Sequence, residues 1–280
     1  MAAGDVQSSA KDRLAVVESW PGRIGACATT LLYTYRVWQR NRDVFLHQWA
    51  AEIGGFLVEP FIMLAAMGFG LGGYVGEIQG VSYAAFVAPG ILVAYAMFHS
   101  SFEATFGAYM RMETHRLFDG ILVTPVNVEE LVLGEAVWAA TRSILAGVAV
   151  LIAALIFGLV HSPWGLLALP VAFLTGLIFA CLALMLVSIA PSIGTLNNFF
   201  TIFITPMFFF GGIFFPVEQF PDVLEKLALL SPLTHAAHVS RALFLGNLDG
   251  TVAVHSIVLI LYAVILLPLA VRLMRRRLVK

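Results

Sequence analysis

Five ionisable residues stand inside stretches that would otherwise dissolve in hydrocarbon. Glu52 and Glu59 are seven residues apart in the first apolar stretch, two helical turns, so they share one face. His99 and Glu103 form an i,i+4 pair in the second, and Arg142 lies well inside the third. Ionisable groups at such depth cost several kcal/mol unless paired or wetted. Counted from one side of the membrane, Glu52, Glu103 and Arg142 reach comparable depth, so Arg142 is expected to pair with Glu103 or with a first-stretch glutamate. Such a pair either fixes helix register or lines a polar pathway. Glu135 is placed near enough to the interface to reach water and receives little weight. His99 by itself reads as a helix–helix contact. His115 and Asp119, four apart in a polar segment, have the spacing for acid/base work but read more simply as a solvated helix face.

The elements that position these groups follow from hydropathy. The chain is 280 residues long, 60% hydrophobic and 12% charged. A helix crosses the hydrocarbon core with about 20 apolar residues, and six such spans are expected at about 45–72, 84–110, 131–160, 165–190, 196–215 and 252–272. The apolar runs are continuous rather than alternating, which excludes a β-barrel. Of 16 Lys and Arg, six precede span 1, two lie between spans 2 and 3, and five follow span 6. Lys226 and Arg241 fall on the opposite side. This asymmetry puts both termini in the cytoplasm. The fold class is an all-α polytopic membrane protein: one transmembrane domain over 21–280 behind a flexible tail at 1–20.

Residues 23–43 carry Leu31, Leu32, Tyr35 and Trp38 at helical spacing among Arg36, Gln39, Arg40 and Arg42, which predicts an amphipathic helix lying in the interface. The alternative is a cytoplasmic extension of span 1. Gly70–Gly73 is expected to turn the chain outside, and Pro89-Gly90 to break span 2 near its outer end. The loop after span 2 is polar but studded with Leu117, Phe118, Ile121 and Leu122, a short amphipathic helix stopped by Thr124-Pro125. Asn127 then caps span 3, with Glu129 and Glu130 in its first turn. Span 5 is dense in phenylalanine: Phe199, Phe203, Phe208, Phe210 and Phe214 are candidates for a greasy conduit or gate, against simple packing or lipid contact. Residues 216–250 form the longest external segment, and its leucines predict short helices dipping back into the outer leaflet. Arg272, Arg275, Arg276, Arg277 and Lys280 are expected to anchor span 6 at anionic headgroups.

Several function classes are excluded. The chain has no GxxxxGK[ST] phosphate loop, no HExxH and no GxSxG. Nothing suggests nucleic-acid binding. Cys27 and Cys181, one before span 1 and one inside span 4, offer neither a disulfide nor metal-ligand spacing.

Two stretches resemble the permease subunits of ABC-2 type exporters. One is Leu117–Val126 followed by span 3, similar to the family's coupling helix. The other joins Thr205–Pro216, Leu229–His235 and Arg241–Gly246, similar to its fifth span, external re-entrant helices and lead-in to the sixth. Among subfamilies the chain looks most like permeases of nodulation-type lipo-chitooligosaccharide exporters and related drug exporters. The resemblance implies a half-transporter of the bacterial cytoplasmic (inner) membrane, working as a homodimer with two separate ATPase subunits. Those subunits would hold ATP and Mg, and this chain would bind no cofactor. Coupling would fall to Arg116, Leu117, Phe118, Asp119, Ile121, Leu122, Thr124 and Pro125, with the four apolar residues as a docking knob. The substrate would be an amphiphile: a lipo-oligosaccharide, a lipid-linked glycan or a hydrophobic drug. Two rivals remain from the residues alone. A membrane-embedded lipid-modifying enzyme would use His99/Glu103 or His115/Asp119, and an ion-coupled carrier would use the intramembrane glutamates.

Overall fold

A computed structural model describes residues 23–279, and the expected tail at 1–20 lies outside the described residues. The molecule is almost entirely helical, with six helices long and apolar enough to cross a membrane: Val58–Val75, Tyr83–Thr114, Val128–Ile156, Pro163–Ile189, Ile193–Phe210 and Gly250–Leu278.

Helix α1 runs unbroken over Arg23–Ala65 and continues through a π-turn at Ala66–Leu71 into Gly72–Val75. The boundary expected between an interfacial helix ending at 43 and a span starting at 45 is therefore absent. Arg42 and Asp43 cause no break because they form a surface ion pair at 2.6 Å and leave the backbone ladder intact. The outer turn also comes later than the glycines at 70–73 predicted. It is a hairpin of β1 (Glu77–Ile78) and β2 (Val81–Ser82), whose turn residues Gln79 and Gly80 both have positive φ, 53° and 79°. Two left-handed residues are what a tight hairpin needs to match strand twist.

Helix α2 (Tyr83–Phe102) passes straight through Pro89, so the expected break is not there. The irregularity sits at the other end, as π-turns at Glu103–Gly107 and Met110–Thr114 that prolong the span. Arg116, left-handed at φ 49°, turns the chain into α3 (Leu117–Leu122). Helix α4 (Val128–Ile156) begins on the predicted cap: the backbone N–H of Asn127 donates to Glu130 Oε2 at 2.8 Å, within a capping box. Then follow α5 (Ala168–Ile189), α6 (Ile193–Phe199), a π-turn at Phe200–Ile204, α7 (Thr205–Phe210), α8 (Asp222–Leu229), α9 (Pro232–Leu245) and α10 (Gly250–Leu278).

The core is a trio of α2, α4 and α5, with α1 against α4, α10 against α5, and α9 over α2, α5 and α10. Their shared faces are rich in alanine, including Ala94, Ala139, Ala146, Ala153, Ala172 and Ala180, all fully buried. Small residues let helix backbones approach where lipid gives no hydrophobic drive. Of the external segment, α9 is the part that packs into protein, through Leu233, Ala236 and Phe244. Val223, Leu227 and Leu230 remain exposed on this chain.

The α1–α4 crossing is tightest at Gly134, where an added Cβ would sit 2.6 Å from Val37 Cβ and 3.0 Å from the Thr34 carbonyl. We predict that Gly134→Ala lowers stability by about 1–3 kcal/mol and that Val37→Ala restores part of it. Thermal unfolding in detergent checks this, and a wild-type melting temperature for Gly134→Ala would refute the close crossing.

Candidate functional site

At one end of this bundle the ionisable side chains of α1, the α2 extension and α4 converge. Arg142 Nη2 donates to Glu52 Oε2 at 2.5 Å, and its Nη1 lies 3.3 Å from Glu103 Oε2. Both partners expected for Arg142 are thus present together. Glu103 Oε1 also accepts from Arg111 Nη1 at 2.8 Å and from the Trp138 indole at 3.1 Å. Arg111 Nη2 donates to Glu135 Oε2 at 2.6 Å, and Glu135 Oε1 accepts from Asn41 Nδ2 at 3.0 Å. Arg40 lies close enough to Glu135 for their charges to interact. Three carboxylates face three guanidiniums in one relay that runs from α1 to α4, across to the α2 extension, back to α4 and again to α1.

Glu135 is therefore not a snorkelling residue: its side chain is 2% exposed, and it anchors the inner end of the relay. Arg111, counted in the sequence as a loop cation, belongs to the helix. The signal available was the spacing Glu103–Gly107–Arg111, two helical turns along one face. Gly107 leaves the room this needs, since a Cβ there would lie 2.9 Å from Glu103 Oε1 and 3.2 Å from Arg111 Nη1.

Above the relay, a cavity of about 730 Å³ opens between α1, α2, α4 and the span 5 helices. Its lining mixes Glu52, Glu59, Glu103, His99 and Arg142 with the aromatic rings of Phe56, Tyr95, Phe98, Phe102, Phe200 and Phe208. His99 is a packing residue, stacked on Phe56 with centroids 4.1 Å apart. Arg142 lies against the rings of Phe45 and Phe56 at 5.3 and 5.2 Å. Of the predicted aromatic gate, Phe208 lines the cavity and meets Phe98 at 5.2 Å. Phe199 and Phe214 are buried away from it, while Phe203 and Phe210 face outward. Phe200, stacked on Phe106 at 5.6 Å, is the span 5 ring that the shortlist missed. Burial, which tells one ring of a dense run from another, has little signal in a sequence where phenylalanines fall on every face of the helix.

The α3 segment departs from expectation in one respect. Phe118 is 1% exposed, so it is an internal anchor and not part of a surface knob. Leu117, Ile121 and Leu122 are half-buried. The apolar residue presented outward is Val123, 86% exposed, beside exposed Arg116, Asp119, Thr124 and Pro125. His115 and Asp119 are both exposed, as a solvated face requires. The C-terminal arginines also do more than meet headgroups. Arg277 donates to the Val187 and Ala190 carbonyls at 2.9 and 2.8 Å, satisfying the α5 terminus, and to Glu113 at 2.7 Å. Arg275 donates to Glu129 at 2.9 Å. The end of α10 is thereby tied to both flanks of α3. Cys181 is buried and free, and the Cys27 side chain lies outside the described residues.

Residues 34–245 match a family described as ABC-2 type transporter. Nodulation protein J of Sinorhizobium fredii is 39% identical over 242 residues, 86% of this chain and 92% of that protein. Nodulation protein J of Rhizobium meliloti is 40% identical over the same length, with 86% and 92% covered. A more distant relative, the inner membrane transport permease YadH of Escherichia coli, is 26% identical over 221 residues, 76% of this chain and 83% of that one.

The relay predicts an order of mutational cost. Arg111→Ala would leave Glu135 with the Asn41 hydrogen bond and the nearby Arg40 charge but no ion-pair contact, and cost about 3–5 kcal/mol, as for a buried charge that loses its partner. Arg142→Ala should cost less, because Glu103 keeps Arg111 and Glu52, 30% exposed, can turn to water. Unfolding in detergent measures both, and equal or inverted costs would show that the charges do not act as described.

Proposed function

The chain belongs to the ABC-2 type transporter family, and from that premise we propose that it is the membrane subunit of an ATP-driven exporter of an amphiphile. The observation that carries this reading is the mixed lining of the cavity: carboxylates that suit a polar head among aromatic rings that suit an acyl chain. Within it, Arg142 is already held by two carboxylates, so among the described residues no free guanidinium waits for a phosphate. Glu59 meets only the Tyr95 hydroxyl there. Such a lining favours heads that donate hydrogen bonds, hydroxyl-rich saccharides foremost, over lipid-linked glycans carrying phosphate. The relatives named for nodulation support a lipo-oligosaccharide. A hydrophobic drug with a protonated amine suits the same acids and is the second reading.

ATP hydrolysis would take place in two partner subunits holding ATP and Mg, docked on the face made by Arg116, Asp119, Val123, Thr124 and Pro125. Closure of those subunits would press on α3. Phe118 would pass the force into the bundle, and the Arg275 and Arg277 ties would pass it to span 6. A homodimer is favoured because spans 1 and 5 lie at the edge of the chain, with 12% and 11% of their apolar windows buried within it, against 83% for span 2. Both termini would face the cytoplasm, following the arginine distribution.

Purification of the tagged chain in mild detergent with mass spectrometry tests the partner. A stoichiometric P-loop ATPase is expected, and self-association without one would favour an embedded enzyme or an ion-coupled carrier. We predict that Val123→Glu abolishes ATPase capture while folding is unchanged, whereas an unaltered captured fraction would remove α3 from the docking face. We further predict that Glu59→Gln lowers ATP-dependent uptake of a fluorescent acylated chito-oligosaccharide into inside-out vesicles by about tenfold, the loss of one charge-assisted hydrogen bond. Normal uptake would make Glu59 a packing residue.

A further inference from the structure

The outer face holds a cluster that the transport reading does not use. His235 and His238 lie on α9 and His255 on the second turn of α10. His238 and His255 line an external cavity of about 240 Å³ with Arg241, Asp249 and Glu218, and His235 is buried behind them. His235 Nε2 is 2.9 Å from the Leu229 carbonyl oxygen, and His235 Nδ1 is 2.6 Å from His255 Nδ1. A carbonyl oxygen can only accept, so His235 Nε2 carries the hydrogen. The neutral ring then has an acceptor at Nδ1, and His255 Nδ1–H must be the donor. One backbone carbonyl thus dictates the tautomers along a chain from the end of α8 through α9 to α10. The His238 ring stands 4.1 Å from that of His255, and its buried Nδ1 has no hydrogen-bond partner.

We propose that this histidine triad is a proton-operated latch between α9 and span 6, closed at neutral pH and opened by acid on the outer side. One proton on the pair leaves an imidazolium–imidazole hydrogen bond, but a proton on each ring puts N–H on both Nδ1 atoms across 2.6 Å and turns the bond into a repulsion. A proton on His255 goes to Nε2 and spares the bond, but sets a cation beside His238. The charged groups facing the triad are Arg241 on α9, which opposes protonation, and Asp249 and Glu218, which favour it. Burial is the largest effect on both α9 histidines and Arg241 adds to it at His238, so both titrate below the ordinary imidazole value. The released state, with ordinary imidazoles near 6.5, takes up protons first. The latch is therefore at full strength above about pH 6.5 and weakens as pH falls below it. Arg241 Nε and Nη2 donate to the Phe86 and Gly212 carbonyls at 3.2 and 2.8 Å, so α9 also pins the outer end of span 2 to the turn after span 5. Freeing α9 from α10 loosens that outer roof.

Hydrogen exchange of the full-length chain in lipid nanodiscs, corrected for intrinsic rates, tests the latch. Between about pH 7.5 and about pH 5, α9 amides should lose about tenfold or more in protection while central α4 amides do not. The triple variant His235→Gln, His238→Gln, His255→Gln should show no such change. A pH-independent α9 in the wild type, or the same loss in the triple variant, would overturn the proposal. Should the variant fail to fold, nitrogen NMR of ¹⁵N-histidine-labelled wild type decides it: Nε2–H on His235 and Nδ1–H on His255 are expected at neutral pH, and the opposite tautomers would overturn it.

Discussion

Glu103 accepts hydrogen bonds from Arg111 and from the Trp138 indole, and its second oxygen faces Arg142. A carboxylate in this position cannot be left alone, because an uncompensated charge in a low-dielectric bundle costs several kcal/mol. The requirement propagates. Arg111 needs Glu135, Glu135 needs Asn41, and Arg142 needs Glu52, so the long α1 helix is held to α4 at two heights. Just beyond the Asn41–Glu135 contact, α1 and α4 close on Gly134, a crossing with no room for a side chain. Helices that gain little from hydrophobic association inside lipid are given one register by groups whose misalignment would be costly.

The same relay lines part of the cavity through Glu52, Glu103 and Arg142. The π-turn at Glu103–Gly107 widens the helix where a carboxylate and a guanidinium must share a face, and π-turns often mark functional sites. Helix α3 is held from within by Phe118 and from outside by ties of Arg275 and Arg277 to Glu129 and Glu113, so it is joined to α2, α4 and α10 together.

Much of this was legible in the chain. Continuous apolar runs gave six spans, the Asn127 cap was read correctly, and depth alone foretold the pairing of Arg142. What escaped has physical reasons. Helix α1 continues past Asp43 because interfacial charges do not end a helix when they pair locally, and hydropathy cannot separate an extension from a break. Pro89 does not break α2, since its neighbours cover the freed backbone. Glu135 and Arg111 were underrated because each sits at a span edge, where a sequence cannot tell water from a partner helix. Phe118 looked like a docking residue because periodicity shows which residues share a face and says nothing of what that face meets.

The central claim is that these charges form one electrostatic unit and are not independent surface pairs. A double-mutant cycle on Arg111→Met and Glu135→Met, read by unfolding in lipid-detergent micelles, addresses it most directly. The account predicts that each single change costs about 3–5 kcal/mol while the double variant lies far nearer the wild type, since removing both charges strands neither. Additive costs, with the double variant as unstable as the two singles combined, would contradict it.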